Sequence, residues 1–164
     1  MDSAEIAAHI PRLRRYARAL TGDGHRADDL VQDTLERALA KFHLWRRGSD
    51  LRAWMFAIMH NVFVNQLKAR RELALDEAAE SGLEAAARTD PLELRDLDAA
   101  LQRLPAEQRE VLLLVGLEQL SYADTGKALG VPLGTVMSRL SRGRERLRLL
   151  MSDEAGTTNL KLVK

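Results

Sequence analysis

Apolar residues recur at helical spacing almost from the start of the chain. Ile6, Ile10, Leu13, Ala17 and Leu20 share a stripe, and Thr21-Gly22-Asp23-Gly24 ends it abruptly, which predicts a first helix. From about Arg26 to Phe42, Leu30, Val31, Thr34, Leu35, Ala38 and Leu39 make a broad apolar face. Asp28 and Asp29 are expected in the first turn of this second helix, where the macrodipole favours negative charge. Ser49 or Asp50 can cap a third helix that begins at Leu51 and runs through Trp54, Met55, Ile58 and Met59. Asn61 and Asn65 are poor interior helix residues, so a break is expected between Met59 and Val64, before a short basic helix ending at Lys68, Arg70 and Arg71.

Beyond residue 72 the pattern dissolves. Residues 73–90 combine Ala, Glu, Ser and Gly with a few scattered leucines, and Thr89-Asp90-Pro91 reads as a turn that restarts a helix. Leu94, Leu97, Leu101 and Leu104 then lead to Pro105, which can start a helix over Ala106 to Val115 with Val111, Leu112, Leu114 and Val115 to bury. Two shorter helices are expected on either side of Gly130-Val131-Pro132. The fold class is therefore all-α: two small helical domains, 1–72 and 93–151, joined by a flexible acidic linker, 73–92, with a flexible tail at 152–164.

Composition supports this picture and narrows it. Aromatic residues make up only 4% of the 164 residues, against 46% hydrophobic overall, a balance that favours helix formers over sheet formers. The absence of cysteine excludes disulfides, thiolate chemistry and cysteine-ligated zinc. No apolar run approaches the roughly 20 residues of a membrane span, and Met1 to Ile10 lacks the features of a secretory signal, so a soluble, cytoplasmic protein is expected.

The net charge of +1 conceals a partition. Residues 1–72 carry 13 Lys+Arg against 9 Asp+Glu, residues 73–96 carry 2 against 7, and residues 97–164 carry 10 against 8. Two basic blocks around an acidic one imply two modules facing nucleic acid and a connector that repels it.

The segment Ser121-Tyr122-Ala123-Asp124-Thr125-Gly126-Lys127-Ala128-Leu129-Gly130-Val131-Pro132-Leu133-Gly134-Thr135-Val136 has the layout of a helix-turn-helix. Ser121 can cap the first helix, Gly126 removes a side chain where the helices must approach, and Pro132 sets the start of the second. On that second helix Val136, Leu140, Gly143 and Leu147 fall together and predict a core face. Gly134, Ser138, Ser141, Arg142 and Glu145 fall opposite, flanked by Arg139, Arg144, Arg146 and Arg148, an arrangement suited to reading base edges centrally and phosphates at the margins. The amides of Gly134 and Thr135 at the helix N-terminus are expected to add a phosphate site. A solvated arginine-rich helix would show the same charges without that function.

These residues, from Leu120 through Arg144, resemble region four of the extracytoplasmic-function (ECF) sigma factors, and Leu104-Pro105-Ala106-Glu107-Gln108-Arg109-Glu110-Val111 resembles the helix that precedes it. Asp28-Asp29-Leu30-Val31-Gln32-Asp33-Thr34-Leu35 resembles the polymerase-binding helix of region two. Leu51-Arg52-Ala53-Trp54-Met55, with Ile58 and Asn61, resembles its promoter-melting segment. The resemblance implies a factor that directs promoter recognition, DNA melting and transcription initiation, with core RNA polymerase, promoter DNA and an anti-sigma factor as partners, no catalytic activity of its own and no cofactor or metal.

It further implies that Asp29, Gln32, Asp33 and Glu36 bind core polymerase and that Arg52, Asn61, Asn65, Lys68, Arg70 and Arg71 serve the minus-ten element. Gly134, Thr135, Ser138, Arg139, Ser141, Arg142 and Arg144 would serve the minus-thirty-five element. Ser138, Ser141 and Arg142 are candidates for base edges, and Thr135, Arg139 and Arg144 for phosphates. Trp54, Phe56 and Phe63 are candidate stacking surfaces, with Trp54 read rather as core, and the acidic linker would thread the polymerase channel.

The chain departs from the family pattern at several positions. Thr125-Gly126 stands where an Ile-Ala pair is usual, and the glycine weakens its helix by about 1 kcal/mol. Met137 replaces a usual basic residue, Asn65 a common acidic one, Ser141 is often larger and Gly143 is usually Ala. Two rivals stay open: a helix-turn-helix repressor or activator that dimerises on a palindrome, and a metal-dependent nucleic-acid enzyme using Asp29, Asp33 and Glu36.

Overall fold

The computed structural model describes residues 2–76 and 92–162, with side chains for residues 3–75 and 96–152. The described residues are helical with no strand: α1 (Asp2–Ala7), α2 (Ile10–Thr21), α3 (Gly24–Lys41), α4 (Leu51–Asp76), α5 (Leu92–Gln102), α6 (Ala106–Leu112), α7 (Tyr122–Leu129) and α8 (Leu133–Leu162). Of the linker expected at 73–92, residues 73–76 continue α4 and Leu92 opens α5, while 77–91 lie outside the described residues.

The first predicted helix is two. Pro11 sits in the opening turn of α2, where its missing N–H costs nothing, and α1 stops short of it. The helix α3 starts earlier than its apolar stripe indicates: Asp23 caps it by accepting from the His25 amide at 2.9 Å, so Asp28 and Asp29 lie beyond the first turn. The expected break after Met59 is absent, and α4 runs unbroken for 26 residues. Met59, Val62 and Phe63 are buried, so tertiary packing overrides the weak helix preference of Asn61 and Asn65. Asp50 rather than Ser49 receives the first free amide of α4, from Arg52 at 3.0 Å.

In the C-terminal half α6 gives way at Leu113–Leu117 to a π turn, closed by the Glu118 amide on the Leu113 carbonyl at 3.0 Å. The helix α8 is far longer than expected and continues past Met151 to Leu162, through residues whose sequence reads as a tail.

One continuous core runs through both halves. Leu13, Leu20, Leu30, Met55, Phe56, Met59 and Phe63 belong to the same buried cluster as Leu101, Leu104, Val111, Leu114, Leu120, Val136 and Leu140. Polar contacts fasten the seam. Gln102 Nε2 donates to the Ala19 carbonyl at 2.9 Å, Arg52 Nη1 to the Glu118 carbonyl at 3.0 Å, and Arg109 Nη1 to the Leu20 carbonyl at 2.8 Å. Arg15 Nη2 meets Glu118 Oε1 at 3.2 Å, and His60 Nδ1 lies 2.5 Å from Glu110 Oε2. Gly22, at φ 71°, ends α2 in the left-handed region, and a Cβ there would stand 2.6 Å from Gln102 Cδ, so the seam is built on a position without a side chain.

Candidate nucleic-acid interface

Local chemistry at a few positions builds the helix-turn-helix. Ser121 Oγ accepts from the Asp124 amide at 3.0 Å, fixing the start of α7. Gly130 closes α7 in the left-handed region at φ 68°. Pro132 accepts at its carbonyl from the Thr135 and Val136 amides at 3.0 and 3.2 Å, which starts α8. The Thr135 amide is thereby engaged and does not contribute to the phosphate site expected there.

Gly126 is the point of closest approach: a Cβ at this position would stand 2.9 Å from the Val131 carbonyl oxygen, backbone of the turn itself. Gly126→Ala, which in an open helix gains about 1 kcal/mol, is therefore expected to lower the melting temperature. Gly143 offers the control. Its added Cβ would meet the Leu112 side chain at 3.1 Å, which can yield, so Gly143→Ala is expected to be near neutral in the same thermal denaturation.

The predicted core face of α8 is observed: Val136 and Leu140 belong to the core, Leu147 packs against it, and Gly143 lies against Leu112. Gly134, Ser141, Arg142, Arg144 and Glu145 are exposed, while Thr135, Ser138 and Arg139 are half-buried. Arg139 leans toward Glu107 at 3.8 Å, and Arg148 is held by Glu145 at 2.7 Å. The hydrogen bond and charge of its partner lower the Glu145 pKa and raise that of Arg148, and because both side chains are exposed the pair has little effect on the fold.

On the N-terminal half, Asp29, Gln32, Asp33 and Glu36 form one exposed face of α3, at spacings of three and four residues, and Asp33 accepts from Gln66 Nε2 at 2.9 Å. The minus-ten candidates divide. Asn61, Asn65 and Lys68 follow one another along an exposed face of α4. At about 100° per residue, Arg52 and Arg70 stand on the opposite side of the helix from Asn61. Arg52 points into the seam, onto the Glu118 carbonyl, while Arg70, itself exposed, lies near enough to Arg26 to help burial lower the Arg26 pKa. Arg71 is exposed between the two sides.

Phe56 and Phe63, 2% exposed each, are core and offer no stacking surface. Trp54 packs partly buried against the core and meets Phe42 edge-on. Among the described residues no group of three His, Asp or Glu side chains is placed to hold a metal ion, and no helix is long and apolar enough to cross a membrane.

Three features escape a reading of the sequence. The Arg109 fan of backbone contacts and the buried Glu110 and Glu118 leave no periodic trace, although a glutamate inside Leu113–Leu120 is itself a signal of an internal partner. The third is an exposed apolar patch of Tyr122, Leu133 and Met137 on the helix-turn-helix.

A helical unit carrying an acidic face, joined to a helix-turn-helix with a basic-margined exposed strip, defines a DNA-reading transcription factor of two parts. Residues 6–60 match the family described as the sigma2 domain of PhyR, and residues 94–147 match sigma-70 region 4. The ECF RNA polymerase sigma factor EcfG of Rhodopseudomonas palustris is 41% identical over 90% of this chain and 83% of its own length. SigE of Mycolicibacterium smegmatis is 33% identical over 93% of this chain and 62% of its own. Among solved structures, the sigma factor RpoE of Bartonella quintana, in complex with the anti-sigma factor NepR, superposes with a TM-score of 0.80 at 38% identity, over 92% of this chain and 96% of that one. The chain belongs to the ECF RNA polymerase sigma factors, the family that directs promoter recognition and transcription initiation.

Proposed function

We propose that residues 1–72 bind core RNA polymerase and the minus-ten element, and that residues 93–151 bind the minus-thirty-five duplex. The exposed strip of α8, seated on a capped and closely packed helix-turn-helix, carries the reading. Ser138, Ser141 and Arg142 face base edges, and Arg139, Arg144, the Gly134 amide and the side chain of Thr135 hold phosphates. Asp29, Gln32, Asp33 and Glu36 dock on polymerase. Asn61, Asn65 and Lys68 take the separated minus-ten strand along one face of α4, with Arg71 beside them and Arg70 on the far side.

Arg52 joins this set only when the halves part, because in the closed arrangement its guanidinium is spent on the Glu118 carbonyl. The protein acts in the cytoplasm without catalytic activity of its own, and strand opening draws on binding energy. An anti-sigma factor is a further partner, by analogy with the relative solved in such a complex.

Run-off transcription with purified core polymerase over a promoter library tests the reading. Initiation from a defined pair of elements, dependent on added chain, is expected. A chain that shifts a palindromic duplex without core enzyme and directs no initiation would instead be an ordinary repressor or activator.

A further inference from the structure

The apolar patch on the helix-turn-helix lies where a DNA-reading surface is otherwise polar. Tyr122 opens α7 at 39% exposure, and Leu133 and Met137, one turn apart at the start of α8, are each 52% exposed. Tyr122 stands between two shallow depressions. One is shared with Lys127, Val131 and Leu133, the other with Met137, Ser141, Arg144 and the Glu145–Arg148 pair. Large apolar side chains are thus left open in a unit whose Leu120, Leu129, Val136 and Leu140 are well buried.

The surroundings specify what covers them. Lys127 and Arg144 give the patch a cationic rim, Arg148 being neutralised by Glu145, and Arg144 has no side-chain partner among the described residues, so the complementary surface is anionic. Major-groove DNA is such a surface, and the thymine C5-methyl is the apolar group it presents there. The centre of the strip is formed by Gly134, Ser138 and Ser141, whose side chains are short or absent. Met137, unbranched and with a flexible thioether, is the long side chain beside them that reaches outward and adapts to a methyl group.

We infer that Met137, backed by Tyr122, is a specificity-determining residue that reads a thymine methyl in the duplex bound by α8. The inference rests on the proposed seating of α8 in promoter DNA and adds a base preference to it. A cation at position 137 would contact phosphate or guanine. Methionine contributes no charge, so its contact discriminates by shape and apolar area alone.

The test uses full-length chain with core polymerase on the promoter recovered by run-off selection, each thymine of the minus-thirty-five element being replaced in turn, on either strand, by deoxyuridine. That exchange deletes one methyl and keeps every hydrogen-bonding edge. At one position it is expected to weaken binding about four-fold, the worth of one buried methyl. In Met137→Ala the same exchange has no effect, while the salt dependence of binding is unchanged because no phosphate contact is lost.

Neutral exchanges at every thymine, or a penalty that persists in Met137→Ala, would overturn the assignment. A patch that seats a partner protein's helix instead would leave all exchanges neutral and Met137→Ala binding promoter in full, which also overturns it. Absence of any promoter binding by the wild-type holoenzyme is a different result: it removes the seating of α8 itself, and this inference with it.

Discussion

Arg109→Ala is expected to cost the fold about 3–5 kcal/mol, a large share of the roughly 5–15 kcal/mol that stabilises a domain. The guanidinium donates to four backbone carbonyls: Leu101 at 2.9 Å, Gln102 at 3.2 Å, Leu104 at 2.9 Å and Leu20 at 2.8 Å. Three of these end or follow α5, and the fourth ends α2, so one side chain satisfies helix-terminal oxygens on both sides of the seam. Removing it leaves the Gln102, Leu104 and Leu20 carbonyls without that donor, each at about 1–3 kcal/mol and less than additively, while the Leu101 carbonyl keeps the Leu104 amide at 3.1 Å. Relief of the side chain's own burial, which with Arg26 lowers the Arg109 pKa, offsets part of this.

Arg109→Lys is expected to recover little, because an ammonium cannot reproduce the planar fork. Urea denaturation checks the loss, and faster amide exchange on both sides of the seam checks its cause. A loss under about 1 kcal/mol would show that water replaces the guanidinium without penalty.

Much of the proposed interface is legible in the sequence because its determinants are local. The Ser121 cap, the Gly126 approach and the 3.6-residue stripe of Val136, Leu140, Gly143 and Leu147 follow from spacing within one short segment, and each is present. The same holds for the exposed face of Asp29, Gln32, Asp33 and Glu36. Sequence and structure part where distant residues decide. Propensity at Asn61 and Asn65 argues for a break that Met59, Val62 and Phe63 forbid by their burial. The Thr135 amide reads as free because the Pro132 carbonyl that accepts it belongs to turn geometry and not to composition.

Least legible of all is the seam. Arg15 and Glu118 are 103 residues apart, and His60 and Glu110 are 50 apart; no periodicity links such pairs. Only the oddity of charged residues within apolar stretches marks them.

Setting carboxylates against the buried glutamates of the seam, Arg15→Glu with His60→Glu, is expected to part the two halves while leaving each folded. The carboxylates across the seam are the buried members of their pairs: the side chain of Glu118 is 0% exposed and that of Glu110 is 5% exposed. Glu118 Oε2 has no hydrogen-bond partner among the described residues, and Arg15 is the one cation paired with this buried side chain there. Burial, then Glu110 and Glu118, hold the Tyr16 hydroxyl well above its ordinary pKa, so it remains neutral and cannot repel them.

A glutamate facing either carboxylate at about 4 Å adds repulsion of about 4 kcal/mol at an effective dielectric near 20. Solvent at the half-exposed Arg15 position screens its share, so His60→Glu alone is expected to act more strongly than Arg15→Glu alone. The chain has no cysteine, which permits spin labels at Leu44→Cys and Leu149→Cys, both exposed, without background. A single narrow distance is expected in the otherwise unaltered chain and a longer, broader distribution in the double variant, with helicity by circular dichroism retained. An unchanged distance would mean that the shared apolar core, rather than the polar contacts of Arg15 and His60, decides whether Arg52 is released from Glu118 toward DNA.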